Sequence, residues 1–194
     1  MSKSRMEIFS DALFAIIMTV MVLELKVPHG VGLAALRAVL PVFLTYVLSF
    51  VYLGIYWNNH HHLLSVTNQV SGGILWANLH LLFWLSLIPF VSGWMGENRF
   101  AVLPTALYGA ILLLAGCAYL LLQREILVLE GPGSVLAAAV GKDWKGKVSL
   151  LLYALGIALA FLSPWMAGAV YVTAALMWLV PDRRIERKVA QVHP

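Results

Sequence analysis

The polar side chains that are able to do chemistry in this sequence are few, and most of them lie inside or beside apolar stretches. The first apolar stretch carries a carboxylate, Asp11, near its start and a hydroxyl, Thr19, near its middle. Later apolar stretches contribute amide and imidazole groups at Asn58, His60, His61, His62, Asn78 and His80. Groups of these kinds are suited to binding a metal or haem, or to relaying protons.

The composition of the chain places these groups in a membrane protein. The chain has 194 residues, of which 61% are apolar and 11% are charged, and its mean hydropathy is +0.86. A soluble domain is about half apolar and about a quarter charged. The net charge of +4 reflects Lys and Arg placed around membrane spans, so nucleic acid is not an expected partner. One cysteine, Cys117, lies in an apolar run, which excludes a disulfide framework and a Cys-based metal site.

Charge-free runs divide the chain into spans. Residues 38–96 contain no charged side chain and are too long for one span, but polar residues in 58–71 and the pair Gly72 and Gly73 interrupt them. Lys147 and Asp182 bracket another long run, which Pro164 divides, because proline disfavours helix in the residue before it. We predict a single all-α domain over 1–194 with six transmembrane helices, at about 9–27, 38–57, 74–91, 100–123, 147–163 and 165–181.

The basic residues predict the orientation of these spans. Six spans place both termini on one side, and ten of the 13 Lys and Arg residues fall on that side. The other three are Lys26, Arg37 and Arg99. Loops rich in Lys and Arg stay in the cytoplasm. We therefore expect a multi-pass protein with both termini in the cytoplasm.

The first span has two different faces. Its nineteen residues make roughly 28 Å of helix, about one hydrocarbon thickness. At about 100° per residue, one stripe roughly 100° wide contains Phe9, Ala12, Ile16, Thr19, Val20 and Leu23. Asp11 points about 140° away from Ile16, and a carboxylate in the membrane should face protein rather than lipid. Two interpretations stay open: the stripe faces copies of itself in symmetry-related subunits, or this is a buried core helix with one satisfied Asp.

The predicted topology brings polar residues from three spans to one depth. Asp11 begins span one, Trp57, Asn58 and His60 end span two, and Asn78 and His80 lie near the start of span three. Buried polar groups without partners cost a few kcal/mol each. We predict a hydrogen-bonded network of Trp57, Asn58, His60, Asn78 and His80 that fixes helix packing, with a metal, haem or proton site as the alternative.

Several patterns do not occur in the chain. The three consecutive His residues make a poor metal site, because helical metal pairs are spaced i,i+4. There is no Gly-rich phosphate loop, no Ser/His/Asp or metalloprotease pattern, and no Thr-Val-Gly-Tyr-Gly-like filter. We therefore expect no enzyme activity, no resident metal or cofactor, and no carbonyl-lined filter.

The polar signature before the first apolar helix resembles that of a known family. Arg5, Phe9, Ser10 and Asp11 have the spacing Arg-x-x-x-Phe-Ser-Asp, and residues 56–61 read Tyr-Trp-Asn-Asn-His-His. Both motifs resemble the Transmembrane Protein 175 family of potassium channels, in its bacterial form with one six-helix repeat per subunit. The similarity is specific over about 5–27 and 52–92. It implies a homotetramer in the bacterial inner membrane, with the first helix lining a central pore and potassium as the permeant ion.

The resemblance also implies roles for particular residues. Ile16, three residues before the family's Thr, would form the narrowest ring, with further apolar rings at Val20 and Leu23. Thr19 would supply a hydroxyl ring and a modest preference for potassium. The signature residues Arg5, Phe9, Ser10 and Asp11 would hold helices together away from the pore. Val20 departs from the family, where a larger Ile or Leu is common, so the second ring would be wider here.

Two other functions compete with a cation channel. The first is a membrane redox protein that binds haem or metal through His80 and a histidine of 60–62. The second is a secondary transporter, for which a kink at Pro89 is a weak sign.

Overall fold

The computed structural model describes residues 2–134, 136–137 and 143–179, and over these residues the chain is helical without strands. The helices are α1 (Lys3–Leu23), α2 (Leu33–Ser65), α3 (Gly72–Ser86), α4 (Ile88–Glu97), α5 (Val102–Glu130), α6 (Trp144–Ala160) and α7 (Pro164–Leu179). The prediction of an all-α protein is confirmed.

Helices α3 and α4 form one apolar segment with a break at Leu87. Pro89 explains the break, because proline has no N–H to continue the helical ladder and its ring clashes with the preceding turn. Counted this way, the described chain makes six segments, as predicted. The segments Lys3–Leu23, Leu33–Ser65, Gly72–Glu97 and Val102–Glu130 are long and apolar enough to cross a membrane. The last two helices are shorter, with 17 and 16 residues.

Contacts among helix ends and the loops beside them define the two ends of the helix bundle. At the end that holds the N-terminus, Lys3 Nζ donates to the carbonyl of Ser65 at 3.2 Å, and Asn68 N–H donates to Glu130 Oε1 at 2.6 Å. We call this the N-terminal end. At the opposite end, the rings of Phe100 and Trp165 lie 5.2 Å apart.

The last helix returns to the N-terminal end. Trp178, close to the end of α7, donates its indole N–H to Ser149 Oγ in the first turns of α6, at 2.7 Å. The bundle therefore has the up-and-down order that six consecutive spans require.

Several helices have bounds that differ from those of the predicted spans, and α5 continues to Glu130, past the predicted end at 123. Helix α1 ends at Leu23, not near residue 27, because Pro28 has no N–H to bond the carbonyl four residues earlier and its ring would clash with that carbonyl. Helix α2 continues to Ser65, past the predicted end at 57, since no Pro or Gly interrupts 58–65. The three consecutive His residues are thus part of a helix. The basic C-terminal residues 183–188 lie outside the described residues.

Tyrosine and glycine pack the helices behind α2. The ring of Tyr171 on α7 fits against Gly109 of α5 and Gly156 of α6, where a Cβ at either glycine would overlap the ring. The Tyr171 hydroxyl donates to the carbonyl of Thr105 at 3.3 Å, and Tyr52 Oη donates to the carbonyl of Tyr171 at 2.6 Å. These contacts join α2, α5, α6 and α7, whereas α1 packs against α2, α3 and α4.

Candidate functional site

Helix α1 packs one face against the rest of the protomer. The buried residues of this face are Met6, Ser10, Phe14, Ile17 and Met21. They recur every three or four positions, which is the spacing of one face of an α-helix. This face was not singled out in the sequence, although its 3–4 spacing was a readable signal.

The predicted stripe lies on the other side of α1, where the protomer does not cover it. Ile16 is 57% exposed, Val20 40% and Leu23 77%. Thr19 and Ala12 are exposed as well, and Phe9 is half exposed. The apolar row is therefore open along the length of the helix, and another molecule or lipid must cover it.

The hydroxyl of Thr19 is satisfied within α1. Its Oγ1 donates to the carbonyl of Ala15 at 2.8 Å. Because the proton is used in that bond, the lone pairs of the oxygen remain available on the exposed side of the helix. Thr19 can thus act as an oxygen ligand for a cation while it keeps its hydrogen bond to the Ala15 carbonyl.

Three helices share a buried chain of hydrogen bonds. Ser10 Oγ on α1 donates to the carbonyl of Met6 at 2.8 Å, and Asn78 Nδ2 on α3 donates to Ser10 Oγ at 3.0 Å. Asn78 Oδ1 lies 2.7 Å from Nε2 of His60 on α2. Because the amide oxygen accepts, the Nε2 atom of His60 carries the proton. The ring of Phe14 packs 5.7 Å from the His60 ring, and the three side chains of this chain are all buried.

A second polar contact ties α1 to α2. Trp57 Nε1 donates to Asp11 Oδ1 at 3.0 Å, and the ring of His61 stacks on Trp57 at 6.3 Å. Asp11 and Trp57 are both exposed in the protomer. The carboxylate therefore contacts protein, but it lies at the edge of the interface between the two helices.

The predicted polar network is divided among separate contacts. His60 and Asn78 are bonded to each other, whereas Trp57 bonds to Asp11. His80 is exposed and its Nε2 accepts from Trp84 Nε1 at 2.8 Å, one turn along the same helix. Asn58 is exposed.

The family signature is likewise divided. Ser10 is buried in the chain of hydrogen bonds, whereas Arg5 and Phe9 are exposed in the protomer.

The two intramembrane histidines of the predicted network, His60 and His80, form separate hydrogen bonds. His60 and His80 each use Nε2 in a hydrogen bond, to Asn78 and Trp84 respectively. Among the described residues, no group of three or more His, Cys, Asp or Glu side chains is arranged to hold a metal ion.

Sequence reasoning missed a clamp at the N-terminal end. The carboxylate of Glu130 accepts from the backbone and side-chain amides of Asn68, at 2.6 and 2.8 Å, and from Gln69 N–H at 3.4 Å. This clamp fixes the connection between α2 and α3, and so the helices that contribute His60 and Asn78. The residues are 62 positions apart, and nothing local in the sequence indicates the contact.

Comparisons with known proteins agree on one family. The family model described as Endosomal/lysosomal potassium channel TMEM175 matches residues 5–89. A potassium channel of Chryseobacterium sp. is 50% identical over 98% of this chain and 100% of its own length. A potassium channel of Streptomyces collinus is 29% identical over 90% of both chains.

A solved structure agrees with these sequence relatives. It is the crystal structure of a lysosomal potassium-selective channel TMEM175 homolog from Chamaesiphon minutus. It matches with a TM-score of 0.78 and 25% identity, over 92% of this chain and 96% of that one.

Proposed function

This chain belongs to the TMEM175 family of potassium channels, and on that premise we propose that four copies surround a central pore lined by α1. The pore prefers potassium, narrows at an apolar ring and has no carbonyl filter. The channel lies in the bacterial inner membrane with both termini in the cytoplasm.

The observation that carries this proposal is the uncovered row on α1. Ile16, Val20 and Leu23 are exposed in the protomer, while Ile17 on the opposite face is 3% exposed. Around a fourfold axis, this row would be covered by its own copies and by water. Asp11 would then lie off the axis, next to Trp57, where its charge is held by a hydrogen bond.

The constriction works through dewetting. A ring of Ile16 side chains narrower than a hydrated ion expels water and blocks flow, and a small outward movement or rotation of α1 readmits water. The backbone of α1 supports a constriction made of side chains. Its helix is continuous from Lys3 to Leu23, so its carbonyls are engaged within the helix and cannot replace the water around an ion.

Thr19 accounts for the preference for potassium. It lies one turn from Ile16, and its hydroxyl oxygen keeps its lone pairs on the exposed side of α1 because the proton goes to Ala15. Four such oxygens would replace part of the hydration shell of an ion. Sodium holds its water more tightly than potassium, so it loses more at this ring.

The buried polar chain holds α1 in place. Ser10, Asn78 and His60 connect α1, α3 and α2, and a buried polar group that loses its partner costs about 1–3 kcal/mol. A rotation that opens the pore therefore has to keep these bonds, so movement is expected in the half of α1 that follows Phe14. This account requires no enzyme activity and no resident cofactor.

Thiol modification in liposomes tests the proposal. In a Cys117→Ala background, Leu23→Cys places a thiol in the proposed pore, and a water-soluble thiol reagent should inhibit potassium flux. Leu151→Cys is the matched control, because Leu151 is 70% exposed but lies on α6, whose main contacts are with α5 and α7. Inhibition through Leu151→Cys, or none through Leu23→Cys, would remove α1 from the pore.

A further inference from the structure

A groove lies at the end of the bundle opposite the N-terminal end. The residues that line it have no role in the proposed pore. It has a volume of about 470 Å³ and is partly open. Its lining comes from the first turns of α2, the turn between α4 and α5, and the start of α7. Arg37 and Arg99 supply its charge, and Pro41, Phe100 and Trp165 supply apolar surface.

The groove is cationic. In the part of the chain that the structure describes, no acidic residue lines it. Arg37 and Arg99 are both exposed. Glu97, the carboxylate nearest to Arg99 along the chain, forms an ion pair with Lys26 instead. Within the described ranges, neither guanidinium group has an acidic partner in the groove, so both can bind an external anion.

Backbone geometry fixes the position of Arg99. Arg99 and Phe100 have φ angles of 50° and 61°, a left-handed backbone conformation that residues other than Gly rarely adopt. Their N–H groups donate to the carbonyls of Gly96 and Met95 at 3.1 and 2.9 Å. The ring of Phe100 packs against Trp165. This turn therefore presents Arg99 beside an aromatic wall rather than on a loose loop.

We propose that this groove binds one anionic phospholipid. The phosphodiester lies between Arg37 and Arg99, because a guanidinium group offers a planar fork of donors that matches phosphate oxygens. The glycerol and the upper acyl chain lie along Pro41, Phe100 and Trp165. Tryptophan and basic residues are typical of the level where lipid headgroups meet the hydrocarbon. A free phosphate ion shares the charged contacts but leaves the apolar wall uncovered.

Lipid retention measured by native mass spectrometry tests this site. The purified channel is mixed with detergent micelles that contain equal amounts of phosphatidylglycerol and phosphatidylcholine, and the bound lipid is counted. We expect phosphatidylglycerol to be retained in preference to phosphatidylcholine. Arg37→Gln and Arg99→Gln should each weaken its binding by about fivefold, the loss expected for one basic residue at an anionic lipid surface.

A matched variant distinguishes lipid binding in the groove from general attraction of anionic lipid to a basic surface. Arg124→Gln removes the same charge from an exposed arginine on α5, away from the groove, and should leave phosphatidylglycerol retention unchanged. Equal losses in all three variants, or equal retention of the two lipids by the unmodified channel, would overturn the proposal.

A competition experiment with the unmodified channel does not depend on any variant folding. Inorganic phosphate should fail to displace bound phosphatidylglycerol, because it does not cover the apolar wall. Displacement by inorganic phosphate would reduce the groove to a phosphate site and contradict the lipid assignment.

Discussion

Ile16 and Ile17 are neighbours on α1 but lie in opposite environments, since Ile16 is 57% exposed and Ile17 is 3% exposed. One helical step of about 100° separates them. It turns Ile17 toward Phe14 and Met21 on the packed face and leaves Ile16 in the open row. Substitutions at these two neighbours therefore make a matched pair that tests the proposed constriction.

Ile16→Ala should increase potassium leak through the channel severalfold, because a smaller side chain widens the ring and keeps it wet. Ile17→Ala makes the same substitution on the packed face. It should cost about 2–5 kcal/mol of stability without opening the pore. Potassium flux into liposomes and thermal unfolding of the purified variants give both readouts. Greater leak from Ile17→Ala than from Ile16→Ala would reverse the assignment of the two faces.

Thr19→Val should lower the preference for potassium over sodium while conduction persists, since valine keeps the shape of threonine and removes its oxygen. Thr19→Ser keeps the hydroxyl and should retain most of the preference. Reversal potentials in mixed potassium and sodium solutions measure the ratio. Equal ratios of potassium to sodium permeability in the Val and Ser variants would show that the hydroxyl does not determine the preference for potassium.

Asn78→Ala should destabilise the protein, because His60 Nε2 loses its buried partner. Ser10 Oγ still donates to Met6 but loses the amide group that donates to it. Each such loss costs about 1–3 kcal/mol. Asn58→Ala is the control, since Asn58 is exposed on α2 and its removal should change stability by less than about 0.5 kcal/mol. Thermal unfolding in detergent compares the two, and similar unfolding temperatures would contradict a structural role for Asn78.

Gly156→Ala should disrupt the packing of α6 against α7, because the added methyl group would overlap the ring of Tyr171. Gly168→Ala adds the same methyl group to α7, where no atom lies within 4 Å. It should be neutral or stabilise the helix by up to about 1 kcal/mol. Yield of folded protein and its unfolding temperature distinguish the variants, and a well-folded Gly156→Ala protein would show that the scaffold tolerates rearrangement.

Periodicity in the sequence predicted the helical fold and grouped the row of α1 on one face, but it left open whether that face was buried within the protomer. Apolar runs and their interruptions follow from the cost of placing charge in lipid, which acts on each segment separately. The angle between residues on one helix is likewise a local property, so Ile16, Thr19 and Leu23 could be grouped on one face before their surroundings were known.

The partners of the polar residues could not be predicted in the same way. Asn78 and His80 lie at one depth, but they differ by about 200° around α3. Asn78 therefore points to His60, while His80 bonds to Trp84 on its own helix. The depth of a residue in the membrane can be predicted from the sequence. Which side of a helix faces its neighbours is decided by tertiary packing.

A density map of the purified protein in lipid nanodiscs tests the central claim most directly, by giving the number of subunits around an axis and the side of α1 that faces it. The account predicts four subunits with Ile16, Thr19 and Leu23 turned toward the axis, and Asp11 beside Trp57 away from it. A map in which this row faces lipid, or in which α1 is enclosed within a single protomer, would contradict the account.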